Sequence, residues 1–270
     1  MTSPEETYIV TGATGGIGRA ITEGLCRRQA GAAIILACRN LDKARSLAAG
    51  RENLRPMHLD LESFDSVRRF ARDVHESGCR VKALFNNAGT MPGEVRITSD
   101  GYESAMQTNF LSPMLFTELL ADLVVSGGAV VFTTSVTRKI ASFRHDWARH
   151  AVDHHGRFTT YGLSKKMITA YCAMLAERLA QRGIRANCSD PGIVDSGMIA
   201  MGNPLIDSLS DKIFRPLIYT PEQGAAPALR AMDSGSSAAV FTLKHERPIP
   251  KSYSPDRVRG IISAALDKIL

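Results

Sequence analysis

The chain has 270 residues, 44% of them hydrophobic and 22% charged, the balance of a folded protein and not of an extended disordered segment. Its net charge of +6 and pI near 9.2 come without a long basic run or an aromatic-studded basic stripe, which argues against nucleic-acid binding; a cofactor bearing several phosphates accounts for such charge. No apolar run approaches the ~20 residues of a membrane span, no secretory signal opens the sequence, and the five cysteines lack CxxC pairing, so a soluble cytoplasmic protein with reduced thiols is expected.

Short β-like runs recur in chain order at 8–10, 33–37, 57–61, 83–86, 129–133, 184–188 and 239–242. Between them, segments 17–30, 41–49, 63–77, 102–123 and 160–182 carry apolar residues at helical spacing, with Gly31, Gly50, Gly78 and Gly183 near the expected ends. This alternation predicts an α/β fold, a doubly wound parallel sheet of about seven strands with helices on both faces. No linker or repeat divides the chain, so residues 1–270 are expected to form a single domain, with an irregular insert at about 139–158 and a substrate-side loop at about 198–222.

The first strand runs into Thr11-Gly12-Ala13-Thr14-Gly15-Gly16-Ile17-Gly18. Small residues between a strand and a helix allow a tight turn and let a pyrophosphate approach backbone N–H groups at the helix N-terminus, so this is a candidate dinucleotide site. The glycines fit two spacings, Gly12-Gly16-Gly18 and Gly12-Gly15-Gly18. The second strand ends in Ala37-Cys38-Arg39-Asn40, with no carboxylate before Asp42. A carboxylate there would bind the ribose 2′-hydroxyl of NAD, whereas Arg39, aided by Arg19, suits the 2′-phosphate of NADP, so NADP(H) is favoured over NAD(H).

Farther along, Tyr161 and Lys165 stand four positions apart at the start of a predicted helix and share a face. An ammonium near a phenol is expected to lower the phenol's pKa and make it a general acid/base. With the glycine turn, Asn86-Asn87-Ala88-Gly89 after the fourth strand, Asn109, Ser135 after the fifth and Pro191-Gly192-Ile193-Val194 after the sixth, the chain resembles the short-chain dehydrogenase/reductase family. The long interval from Ser135 to Tyr161 resembles the branch of retinol dehydrogenases and protochlorophyllide reductases.

That resemblance implies an NAD(P)H-dependent enzyme interconverting an alcohol and a carbonyl. Ser135 would bind the substrate oxygen, Tyr161 exchange its proton, Lys165 tune Tyr161 and hold the nicotinamide ribose, and Asn109 anchor a relay water. The cofactor would lie along Gly12, Thr14, Gly15, Gly16, Ile17 and Gly18, then Arg39 and Asn40. Asp60 and Leu61 would line the adenine, and Asn87, Ala88 and Gly89 the adenosine ribose. Pro191, Gly192, Val194 and Ser196 would stand at the nicotinamide end. The helices carrying Asn109 and Tyr161 form dimer interfaces in such proteins, so a homodimer is one implied state.

Two rivals stand beside this reading: a non-catalytic NADPH sensor or scaffold, and an epimerase or dehydratase of the extended branch. His145, His150, His154 and His155 in the insert lack a carboxylate or cysteine partner set, so no metal is expected. Arg144, Arg149 and Arg157 would draw an anionic substrate if the insert borders the pocket.

Overall fold

In a computed structural model of the chain, residues 6–142, 157–194 and 219–270 are described. The eight strands are β1 (Glu6–Thr11), β2 (Ala33–Cys38), β3 (Leu54–His58), β4 (Arg80–Asn86), β5 (Val124–Thr133), β6 (Arg185–Ser189), β7 (Ala239–Phe241) and β8 (Glu246–Pro248). They form one sheet in the order β3-β2-β1-β4-β5-β6-β7-β8, parallel except for the β7–β8 pairing. The expected parallel, doubly wound sheet is present, extended by one antiparallel edge strand that its short polar sequence, Glu246-Arg247-Pro248, did not announce.

Strand alternation distributes the apolar side chains to two cores. Ile9, Ile35, Leu84, Val130 and Phe132 face one layer. Their neighbours Tyr8, Val10, Ile34, Leu36, Phe85 and Val131 face the other. Both faces being covered, β2 is buried at every position, which explains its unbroken apolar run.

On the first face lie α3 (Phe64–Glu76), α4, α5 (Arg157–Leu179) and α7 (Asp256–Ile269), through residues such as Phe70, Phe116, Tyr171 and Ile262. Here α4 is the helical stretch made of Ser104–Met106, a π-helical turn Gln107–Leu111, and Ser112–Leu120. On the second face lie α1 (Gly16–Arg28), α2 (Leu41–Ala48) and α6 (Pro221–Asp233), through Ile21, Leu25, Ala44 and Leu229. No helix among the described residues is long and apolar enough to cross a membrane.

Three further elements depart from expectation. The third strand is Leu54–His58, not 57–61, because its register is set by pairing from Ile34↔Leu54 to Cys38↔His58; Asp60 and Leu61 thereby fall beyond its end, beside the cleft described below. Pro221 starts a helix where a loop was expected: Thr220 accepts from Gln223 N while the Gln223 side chain accepts from Thr220 N, and proline is well suited to the first helical position. The C-terminal α7, apolar at Val258, Ile262, Ala265 and Ile269, closes the first core. Most of the insert at 139–158 and of the loop at 198–222 lies outside the described residues.

Candidate active site

The strand order reverses between β1 and β4, so their C-terminal ends splay the following loops apart and leave a crevice. A cleft of about 400 Å³ opens there, lined by Gly12, Thr14 through Gly18, Arg39, Asn40, Asp60, Leu61 and Asn87 through Gly89. Apart from Arg19, the residues expected on the adenine and phosphate side meet in this one place. Lys43 and Thr108 also line it and were not foreseen. The Thr108 hydroxyl is buried without a hydrogen-bond partner among the described residues, as a group awaiting a ligand would be.

Sterics distinguish the glycines of the turn. Gly12 has φ +65°, and a Cβ there would stand 3.1 Å from Ala88 Cα; at Gly18 it would stand 2.1 Å from Gly12 O. At Gly15 the nearest atom would be at an ordinary 3.4 Å. Gly12 and Gly18 are therefore required by the turn's own packing. Gly15 caps α1 with no side-chain hydrogen bond, and no acidic residue occupies the first turn, so the helix presents its free N–H groups and dipole to the cleft. These features fit a dinucleotide pyrophosphate.

The loops are stitched across the crevice. Thr11 Oγ1 donates to Phe85 O at 3.2 Å and accepts from Asn87 N and Ala88 N, each at 3.0 Å. Asn87 Nδ2 donates to Thr11 O at 2.9 Å. At the cleft's outer end Asn40 caps α2 by accepting from Lys43 N. Arg39 is largely exposed and 3.8 Å from Glu62, which Arg96 also engages. Arg19 lies in an adjoining hollow with Lys43 and Arg51.

The expected catalytic residues converge at the ends of β4 and β5. Ser135 begins the 3₁₀ turn Val136–Lys139, its Oγ accepting from Thr137 N at 3.3 Å, and lies near enough to the Tyr161 phenol to favour its ionised form. Lys165 is buried, donates to Thr133 O at 2.9 Å, and lies 5.7 Å from the Tyr161 ring centroid. A Cβ on Gly89 would be 3.1 Å from both Lys165 Nζ and Asn109 Oδ1, so the glycine makes room for both. Asn109 holds the loop after β4: its Oδ1 accepts from Thr90 N and its Nδ2 donates to Thr90 O and Ser164 Oγ.

One expectation is reversed. Burial pushes the Tyr161 phenol up to about 12, opposed by the Ser135 hydroxyl and reinforced by Asp190. Burial also brings Lys165 down to about 8, against the pull of Cys188 and Asp190. Desolvation, invisible in a YxxxK spacing, outweighs the attraction anticipated between ammonium and phenolate.

After β6, Pro191, Gly192 and Val194 approach the site from the far side. Gly192 has φ +74° with the Tyr219 ring against it, and Val194 pairs with Tyr219. A Cβ on Gly224 would meet Val194 at 2.6 Å and Ile17 at 3.4 Å, so Val194 packs between α6 and the glycine turn. Ser196, the four insert histidines, Arg144 and Arg149 lie outside the described residues, as does the Arg157 side chain.

A profile described as short chain dehydrogenase matches residues 6–204. Human (Homo sapiens) "Retinol dehydrogenase 13" is 30% identical over 96% of this chain and 83% of its own. "Polyprenol dehydrogenase" of Mus musculus is 29% identical, covering 82% and 70%. Among solved structures, an uncharacterised protein from Mycobacterium Paratuberculosis superposes with TM-score 0.75 at 24% identity, covering 99% of this chain and 95% of its own. A short chain dehydrogenase from Burkholderia cenocepacia J2315, in complex with NADP, gives 0.70 at 23%, covering 88% and 95%. The two superpositions establish the fold.

Proposed function

The chain belongs to the short-chain dehydrogenase family and is an NAD(P)-dependent oxidoreductase, and on that premise we propose that it reduces an apolar carbonyl compound with NADPH, reversibly, with Tyr161 as the proton donor. The observation that carries the reading is the convergence of Ser135, Tyr161 and Lys165 at the end of β5, facing Asn87 through Gly89 across the crevice. The cofactor, when bound, supplies the hydride. As it reaches the carbonyl carbon, negative charge develops on oxygen, where Ser135 and Tyr161 are the donors. A phenol held near 12 is fully protonated at neutral pH and serves as the acid. Lys165, protonated below about 8, lies beside the phenolate left behind and stabilises it.

Arg39 and Lys43 support NADP(H): both cations line the cleft beyond the second strand, whose end carries no carboxylate before Asp42. Apolar side chains near the catalytic residues support an apolar substrate. Val136 follows Ser135, Phe158 precedes Tyr161 by one turn, and Ile140 and Ile193 are likewise exposed. The names of the retinol and polyprenol dehydrogenases point the same way. No observation favours a sensor or an epimerase.

NADPH oxidation measured over propanal, decanal, benzaldehyde and all-trans-retinal tests the reading. Turnover of the larger apolar aldehydes is expected, with at least about 100-fold loss in Tyr161→Phe. Tyr161→Phe retaining more than a tenth of the rate, or NADPH binding without turnover across the panel, would overturn it. Arg39→Gln tests the cofactor separately: the NADPH-to-NADH ratio of kcat/KM should fall about tenfold or more, the size of one lost charge-assisted contact.

A further inference from the structure

Behind the catalytic residues lies a buried ion pair that the chemistry above does not use. Arg138 Nη1 donates to Asp190 Oδ2 at 2.6 Å, and the two side chains are only 7% and 8% exposed. The same Nη1 donates to Ser135 O at 2.6 Å. Asp190 Oδ1 accepts from Gly192 N at 3.2 Å, and Asp190 N donates to Phe241 O at 2.7 Å. One guanidinium thus ties the turn that begins at Ser135, after β5, to the Pro191–Gly192 loop after β6. The C-terminal segment completes the enclosure: burial pushes the Tyr253 phenol up and the Arg138 guanidinium draws it back down, and the Tyr253 ring lies 5.5 Å from the ammonium of Lys166, next to Lys165 in sequence.

Burying such a pair costs desolvation that a pair of apolar side chains would avoid, and its anchor points are the backbone of Ser135, read above as a donor to the substrate oxygen, and the loop at the opposite wall of the site. We propose that Arg138 and Asp190 are positioning residues: the pair holds the Ser135 turn against the Pro191–Gly192 loop, so that the Ser135 hydroxyl points at the substrate oxygen in register with the Tyr161 phenol. Neither side chain touches substrate. The pairing also neutralises a carboxylate whose charge reaches both Tyr161 and Lys165. This role rests on the reading of Ser135 and Tyr161 as the groups that act on the carbonyl oxygen.

The test compares Arg138→Lys, the double variant Arg138→Gln with Asp190→Asn, and Tyr161→Phe, each assayed with NADPH and decanal. The double variant leaves no unpaired buried charge, so it remains informative if Arg138→Lys fails to fold. For each variant, kcat per folded molecule is measured beside the NADPH Kd from cofactor fluorescence. The double variant is expected to lose about tenfold in kcat with Kd within twofold of the parent, and Arg138→Lys, which keeps the charge but loses the planar fork, to lose less. A double variant whose kcat stays within twofold, or one that loses NADPH affinity while kcat holds, overturns the proposal. If Tyr161→Phe is equally active, the underlying reading fails instead.

Discussion

The two sides of the crevice are built by different physics. The nucleotide side is made of backbone: Gly12 and Gly18 are fixed by van der Waals contact with the turn itself, and the loops are tied by one uncharged hydroxyl, Thr11, and one amide, Asn87. The catalytic side is made of buried ionisable side chains, with Lys165, Tyr161 and the Arg138–Asp190 pair held in the interior by partners after β5 and β6. Shape is indifferent to pH and intolerant of a single carbon. Buried charge tolerates volume but answers to pH and to the loss of a partner. A nucleotide of constant structure suits the first kind of wall; a step that moves a proton needs the second.

The largest expected effect breaks the nucleotide wall. In Gly18→Ala the new carbon would lie 2.1 Å from Gly12 O and 2.8 Å from Asn87 Nδ2, a collision with backbone that no rotamer relieves. Stability should fall by about 3 kcal/mol, with NADPH binding lost at concentrations that saturate the parent. Gly15→Ala, where the nearest atom would be 3.4 Å away, should cost no more than about 1 kcal/mol for a poorer helix cap. Thermal denaturation of both variants decides the point: equal losses would mean that steric fit does not shape this wall.

The same contrast explains what the sequence revealed. Gly12 to Gly18, Asn86 to Gly89 and the strand–helix alternation are local signals, and the sheet and nucleotide cleft could be read from them. Lys43 was missed because a lysine in a helix reads as solvated, and only the approach of α2 to the cleft gives it a role. The third strand was displaced because the alternation of Met57, Leu59 and Leu61 resembles a strand, whereas pairing with β2 sets the real register. On the catalytic side residue types were legible and energies were not. The direction of the Tyr161 shift depends on desolvation by the whole fold, and Arg138 and Asp190 meet across two strands with no mark in the sequence.

A second prediction addresses the charged wall. Lys165→Met should abolish detectable turnover, yet at pH 7 it should be at least as stable as the parent, because it removes a cation whose charged form is disfavoured by burial. The folded lysine titrates near 8 and the unfolded one near 10.5. Between those values the unfolded chain binds the extra proton, so parental stability rises with pH, while below about 8 this contribution is flat. The gap between variant and parent should therefore narrow from pH 7 to pH 9.5, below the range in which Tyr161 titrates in either state. Urea denaturation across that range measures it; a gap independent of pH would show that Lys165 is not strained by burial. In the parent, kcat/KM for carbonyl reduction should fall above about pH 8 as the ammonium is lost.

The smallest effect tests the uncharged wall on the same axis. In Thr11→Val the shape is nearly kept, but the N–H groups of Asn87 and Ala88 lose their shared acceptor and Phe85 O loses a donor, all beside a residue that is 1% exposed. Unpaired buried groups of this kind cost about 1–3 kcal/mol; the loop after β4 should loosen and NADPH affinity fall several-fold, with kcat nearly unchanged. Thr11→Ser, which keeps the hydroxyl, should recover most of both. None of these groups titrates between pH 7 and 9.5, so the Thr11→Val deficit should remain constant over the range in which the Lys165→Met gap closes. A deficit that varied with pH would mean the two walls are electrostatically coupled at Gly89, where only the lack of a Cβ leaves room for Lys165 and Asn109, and that the division between shape and charge does not hold at their junction.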